Sequence, residues 1–153
     1  MVQYEGKNSE VTYVHTYLRK VFYYETDRMQ VVHHSNYVRW MEEARIDYLD
    51  SLGAAYADLE ARGIISPVLE VSCKYRSMTR FGETVRVETK LTEVGNVKYR
   101  FSYRIVDNET GVLRAEGESC HCFVDPEDRV ISLKRADRAA FERLKAAVEP
   151  SAE

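Results

Sequence analysis

Three cysteines, Cys73, Cys120 and Cys122, are too few for a disulfide scaffold, and Cys120-x-Cys122 lacks the spacing of paired zinc ligands. They read as small buried or half-buried thiols, and no metal site is expected. The chain also lacks any run of about 18 apolar residues, so no helical membrane span is expected. Its first ten residues are polar, without the apolar core of a signal peptide, and the expected location is the cytoplasm. Neither sign of charge dominates: 22 basic residues against 25 acidic ones leave a net charge of -3, which provides no footprint for a phosphate backbone and argues against nucleic acid as a partner. There is no Gly-rich phosphate loop or dinucleotide motif, and no repeat, linker or low-complexity segment.

What is present is the composition of one soluble globular domain: 153 residues, 44% of them hydrophobic and 31% charged. The whole chain, residues 1–153, is therefore expected to form a single domain around one core.

The hydrophobic pattern changes period along the chain. Thr12 to Tyr24 is rich in Tyr, Val, Thr and Phe and predicts a first strand. Tyr37, Trp40, Met41, Ala44, Tyr48 and Leu52 then recur at three- and four-residue spacing, which predicts an amphipathic helix of about four turns. Ser35 or Asn36 can cap its start, and Gly53 can end it. A short helix is expected near Ala54–Ala61, closed by Gly63. Alternation resumes at Leu69, Val71, Cys73 and Tyr75, then at Val85 to Leu91 and Tyr99 to Ile105 across a Gly95-Asn96 turn. Val112 to Val124 supplies a last strand, and a helix is expected over Ala136–Val148. One long helix followed by a meander of antiparallel strands is an α+β layout in which the sheet covers the helix.

The segment Tyr23-Tyr24-Glu25-Thr26-Asp27-Arg28-Met29-Gln30-Val31-Val32-His33-His34-Ser35-Asn36-Tyr37 places carboxylates and two imidazoles beside a helix N-terminus. Such a helix start presents unpaired N–H groups and a positive dipole end, which suit a developing oxyanion, and a neighbouring carboxylate can attack or activate water. Judged on its residues alone, the segment reads first as a turn, a solvated loop and a simple cap.

Its order nevertheless resembles the signature of the 4-hydroxybenzoyl-CoA thioesterase family and its short-chain acyl-CoA thioesterase relatives. That pattern runs acid, any residue, aspartate, two residues, glycine, valine or isoleucine, valine, four residues, tyrosine. Glu25, Asp27, Val31, Val32 and Tyr37 match it in register, and Arg39-Trp40-Met41-Glu42-Glu43-Ala44-Arg45 resembles the family's helix. The order of elements agrees over roughly Tyr13 to Asp125. Gln30 stands where the family has glycine and Met78 where it often has proline.

The resemblance implies a hotdog fold, a curved antiparallel sheet wrapped around one long central helix, assembled as a homodimer or homotetramer. It implies hydrolysis of an acyl-CoA thioester with Asp27 as nucleophile or general base and His34 at the oxyanion site. No metal or bound cofactor is expected, CoA entering as part of the substrate. Gln30, between Asp27 and the helix, is expected to narrow or polarise the acyl entrance, its backbone taking a commoner conformation than glycine's or accepting strain. Tyr37 either packs in the core or lines the acyl pocket. Lys74, Arg76 and Arg80 form a basic cluster suited to CoA phosphates. His33 is expected to diverge from His34, and Glu42 to pair with Arg45. Two other functions fit the same scaffold: an acyl-carrier-protein thioesterase and a non-catalytic acyl-CoA-binding module.

Overall fold

The computed structural model describes residues 2–7 and 10–148, with side chains described from Tyr13 onward. Six strands, β1 (Val2–Lys7), β2 (Glu10–Lys20), β3 (Val68–Tyr75), β4 (Thr84–Val94), β5 (Lys98–Asp107) and β6 (Leu113–Cys122), form one antiparallel sheet in the order β1-β2-β4-β5-β6-β3. Helix α1 (Ser35–Ser51) lies against the inner face, α2 (Tyr56–Ala61) follows it, and α3 (Leu133–Ala136) and α4 (Arg138–Val148) close the chain. A curved sheet around one long helix is the hotdog fold.

The alternation in β4 and β5 puts Val85, Val87 and Leu91 of one strand and Tyr99, Phe101, Tyr103 and Ile105 of the next on the inner face. They meet Tyr37, Trp40, Met41, Ala44, Tyr48 and Leu49 of α1 in one continuous core. Helix and sheet approach closely at Gly117, where a Cβ would lie 2.2 Å from the Ser72 carbonyl oxygen and 2.7 Å from Met41 Cε. Only glycine leaves room there.

Several boundaries differ from expectation, each for a local reason. The first strand ends at Lys20 rather than Tyr24, because the Glu25 carboxylate accepts the Phe22 N–H at 2.8 Å and folds Tyr23–Glu25 into a 3₁₀ turn. Neither Ser35 nor Asn36 caps α1. Both lie in its first turn, and Asn36 instead donates its side-chain amide to the Glu25 carbonyl at 2.9 Å. At the other end, Gly53 does terminate α1 with φ +72°. The final helix is broken at Asp137, whose Oδ1 accepts the Ala140 N–H at 3.1 Å and starts α4 afresh.

The largest departure is β3. Its alternation predicts one buried face, yet Val68, Leu69, Val71 and Tyr75 are all about half exposed, because the strand lies at the sheet edge, where the core no longer covers it.

Candidate active site

The Asp27 loop is a tight hairpin built on a few backbone bonds. Asp27 N–H donates to the Val31 carbonyl and Gln30 N–H to the Asp27 carbonyl, each at 2.9 Å, so that Arg28, Met29 and Gln30 form a three-residue connection. Such loops end in a left-handed residue, ordinarily glycine. Gln30 takes that place with φ +64°. The glycine conformation of the family pattern is thus kept without the glycine, at a conformational cost of about 1–2 kcal/mol. Of the two backbone states open to a residue with a side chain here, a commoner conformation or a strained one, Gln30 takes the strained one, held by the flanking hydrogen bonds.

Two carboxylates in this loop have opposite surroundings. Glu25 is only 2% exposed and receives four donors: Arg19 Nη1 at 2.8 Å, Arg19 Nη2 at 3.1 Å, Trp40 Nε1 at 2.8 Å and the Phe22 N–H at 2.8 Å. Its carbonyl takes the His33 N–H at 2.8 Å as well as the Asn36 amide. This buried clamp fixes the loop to β2 and to the first turns of α1. Asp27 is partly exposed, and its Oδ1 accepts the Met29 N–H at 2.8 Å. Among the described residues, Oδ2 has no hydrogen-bond partner.

Asp27 opens onto a cavity of about 270 Å³ that His34, Tyr37, Tyr75, Arg76 and Met78 help to line. Tyr75 Oη donates to the His34 carbonyl at 3.0 Å, orienting the residue that precedes α1. The N–H of His34 makes no hydrogen bond among the described residues. Tyr37 is buried in the core, also lines this cavity, and donates to Thr79 Oγ1 at 3.0 Å. Burial raises its phenol pKa, with the Thr79 hydrogen bonds opposing. The Thr79 carbonyl accepts the Val32 N–H at 2.8 Å, which ties the loop following β3 to the Asp27 loop.

The remaining anticipated residues separate. Arg76 lines the cavity and is paired with Glu116 at 2.6 Å; this hydrogen bond foremost holds the Glu116 carboxyl below its ordinary range. Lys74 faces a different hollow, with Arg104, Glu116 and Glu118, and Arg80 is exposed on the loop between β3 and β4. The side chain of Gln30 is exposed at the hairpin end, and the cavity walls are formed by other residues. His33 does not diverge from His34: the rings stack with centroids 4.2 Å apart, because His33 Nδ1 is held by the Ser35 N–H at 3.2 Å. Glu42 reaches Arg45 at 3.8 Å. Among the described residues no cluster of three or more His, Cys, Asp or Glu side chains could hold a metal, and no helix is long and apolar enough to cross a membrane.

Sequence reading missed the clamp. Glu25 was visible only as a motif position, and an acid next to an aromatic strand end gives no hint that Arg19 and Trp40 converge on it. The neighbouring Arg19, within a run of strand residues, was the available signal.

The model of the thioesterase-like superfamily matches residues 21–150. YneP of Bacillus subtilis is 35% identical over 130 residues, covering 82% of this chain and 94% of the relative. The acyl-CoA thioester hydrolase YbgC of Escherichia coli is 29% identical over 107 residues, 70% of this chain and 79% of the relative. Among solved structures, a DHNA-CoA thioesterase from Staphylococcus aureus superposes with a TM-score of 0.81 at 31% identity, covering 87% of this chain and 91% of that one.

Proposed function

The chain belongs to the thioesterase-like superfamily and is a thioester hydrolase, and from that premise we propose that it cleaves acyl-CoA thioesters with Asp27 as the catalytic carboxylate. The observation that carries the assignment is the unequal treatment of the two acids: Glu25 is saturated with donors, while Asp27, whose Oδ2 has no partner among the described residues, lines the cavity that His34 also lines.

The thioester oxygen is placed against the free N–H of His34 at the start of α1, so that charge developing on it meets a fixed donor and the helix dipole. Removing such a donor costs about 2.7–4 kcal/mol of transition-state stabilisation. Asp27 uses its open oxygen either on the carbonyl carbon, giving an anhydride, or on a water molecule as its base. In both routes the thiolate of CoA leaves and one water is consumed. Single turnover in heavy-oxygen water tests for the anhydride: label on Asp27 requires that water has attacked an anhydride at the Asp27 carbonyl, whereas label in the acid product alone is given both by the general-base route and by attack on the acyl carbonyl of the anhydride. Arg76 and Arg80, beside the cavity mouth and on the following loop, are the cations offered to CoA phosphates.

A homodimer through β3 fits the same reading. The strand is an open edge carrying Val68, Leu69, Val71 and Tyr75, and Tyr75 walls the cavity, so a second copy would both cover the apolar edge and complete the site. Light scattering is expected to give at least twice the 17.8 kDa chain mass; a species of chain mass alone at micromolar concentration would overturn this.

The experiment that tests the function is free-thiol release from short, long and aromatic acyl-CoAs. Turnover of at least one class, abolished in Asp27→Asn, supports the reading. Turnover surviving in that variant refutes the assignment of Asp27, and exclusive use of acyl-carrier-protein thioesters refutes CoA as the carrier.

A further inference from the structure

The face of α1 that starts at His34 continues through Val38, Met41, Glu42 and Arg45, at the three- and four-residue steps of one helical stripe. A second cavity, of about 140 Å³, lies along this stripe beyond the first, again between α1 and β3. Val38, Met41, Val68 and Val71 make its walls apolar. Its inner end is different: Arg45, Ser119 and Tyr103 are there.

These polar groups are built into the core. Arg45 is 5% exposed and donates from Nη1 to His121 Nε2 at 3.1 Å. Ser119 Oγ lies 2.7 Å from that same nitrogen and 2.6 Å from Tyr103 Oη. His121 is fully buried, and burial first, then the Arg45 charge, push its pKa down to about 3, so at neutral pH it is an uncharged acceptor. A guanidinium has five N–H donors. Arg45 Nε has no partner among the described residues, and the nearest carboxylate, Glu42, stands 3.8 Å away at the solvent-exposed rim, beyond hydrogen-bond length. A buried cation whose hydrogen bonds go to neutral groups, with one carboxylate held at 3.8 Å on the exposed rim, keeps unused donors for a second anion.

Resting on the acyl-CoA reading above, we infer that this second cavity is a specificity subsite for acyl groups carrying a distal carboxylate. The methylene spacer lies against Val38, Met41, Val68 and Val71, and the terminal carboxylate meets Arg45 with Ser119 and Tyr103 at its side. Arg45 is eleven residues beyond His34, about 16 Å of helix rise. Its side chain leans back toward the helix start, shortening the span to that of a medium-length diacid. The reaction adds water to a dicarboxylic mono-CoA thioester and releases the diacid and CoA. Glu42 competes for Arg45 from the rim and tempers the preference.

The test compares kcat/KM for succinyl-, adipyl- and suberyl-CoA with butyryl-, hexanoyl- and octanoyl-CoA, and with ω-hydroxyhexanoyl-CoA. At least one diacid thioester is expected to exceed its plain counterpart by about tenfold or more, the discrimination expected of a site built to pair a substrate group. Arg45→Met should bring that ratio near one, Arg45→Lys should keep part of it, and Glu42→Gln should raise it. Wild-type ratios near or below one, an equal preference for the ω-hydroxyl thioester, or a ratio untouched in Arg45→Met would each overturn the assignment. Should Arg45→Met fail to fold, Glu42→Gln decides, an unchanged or lowered ratio counting against the subsite. If no acyl-CoA is hydrolysed, the proposed function has failed, and the subsite is judged separately by melting temperature: millimolar adipate raises it and hexanoate does not, or the subsite is refuted.

Discussion

The floor and the rim of the Asp27 loop contain the same kind of side chain two residues apart and use it in opposite ways. On the floor, Glu25 is enclosed by Arg19, Trp40 and the Phe22 N–H, so its charge is spent on holding β2, the loop and α1 together. On the rim, Asp27 has one donor among the described residues, and its Oδ2 has none. The difference is one of saturation: a carboxylate with every lone pair engaged is a poor base or nucleophile, and the one left under-supplied is the one available for the proposed chemistry. The floor makes the rim workable, because a loop pinned at Glu25 and Thr79 holds the open carboxylate at a fixed place over the cavity.

Four experiments would break or sharpen this contrast. The largest effect is expected from Asp27→Asn, which should lower kcat by about a thousandfold or more while leaving the urea midpoint nearly unchanged, since only the Met29 N–H contact is at stake. A large stability loss in that variant would erase the distinction between floor and rim. Glu25→Ala should do the reverse in kind, costing about 3–4 kcal/mol in urea unfolding because it leaves the half-buried Arg19 and the Trp40 N–H without their shared, buried acceptor. A mild effect there would show that Glu43, the other partner of Arg19 at 3.0 Å, suffices.

The third experiment extends the contrast to the far end of α1, where the buried group is a neutral base instead of a saturated acid. His121 titrates near 3 in the fold and near 6.5 when unfolded, so below pH 6.5 the unfolded chain binds a proton that the fold refuses. Its contribution is complete above that pH and lost as the pH falls, by about 2 kcal/mol on reaching pH 5. Urea midpoints at pH 7 and pH 5 should therefore differ less in His121→Gln than in the wild type. The smallest effect is at the rim: Gln30→Gly should stabilise the protein by about 1 kcal/mol by relieving the left-handed backbone, and should leave the ranking of acyl-CoAs unchanged because the side chain is exposed outside the cavity wall. A changed ranking would return Gln30 to the acyl entrance.

The sequence by itself determined the order of elements, the central helix through its Tyr37-to-Leu52 periodicity, the β4–β5 hairpin through strict alternation, and the position of Asp27 ahead of the helix. Each of these rests on a repeat or motif a few residues long, where chain geometry alone decides which side chains share a face. The tertiary structure decided the rest. It made β3 an exposed edge despite the same alternation as β4, since burial depends on what lies opposite a strand and not on its own pattern. It kept Gln30 in a glycine conformation, because the hydrogen bonds on either side of the turn outweigh the preference of one residue. It also distinguished Glu25 from Asp27 and brought Arg45 against His121, 76 positions later, since a side chain's charge acquires its role from partners that only chain folding brings within hydrogen-bond distance.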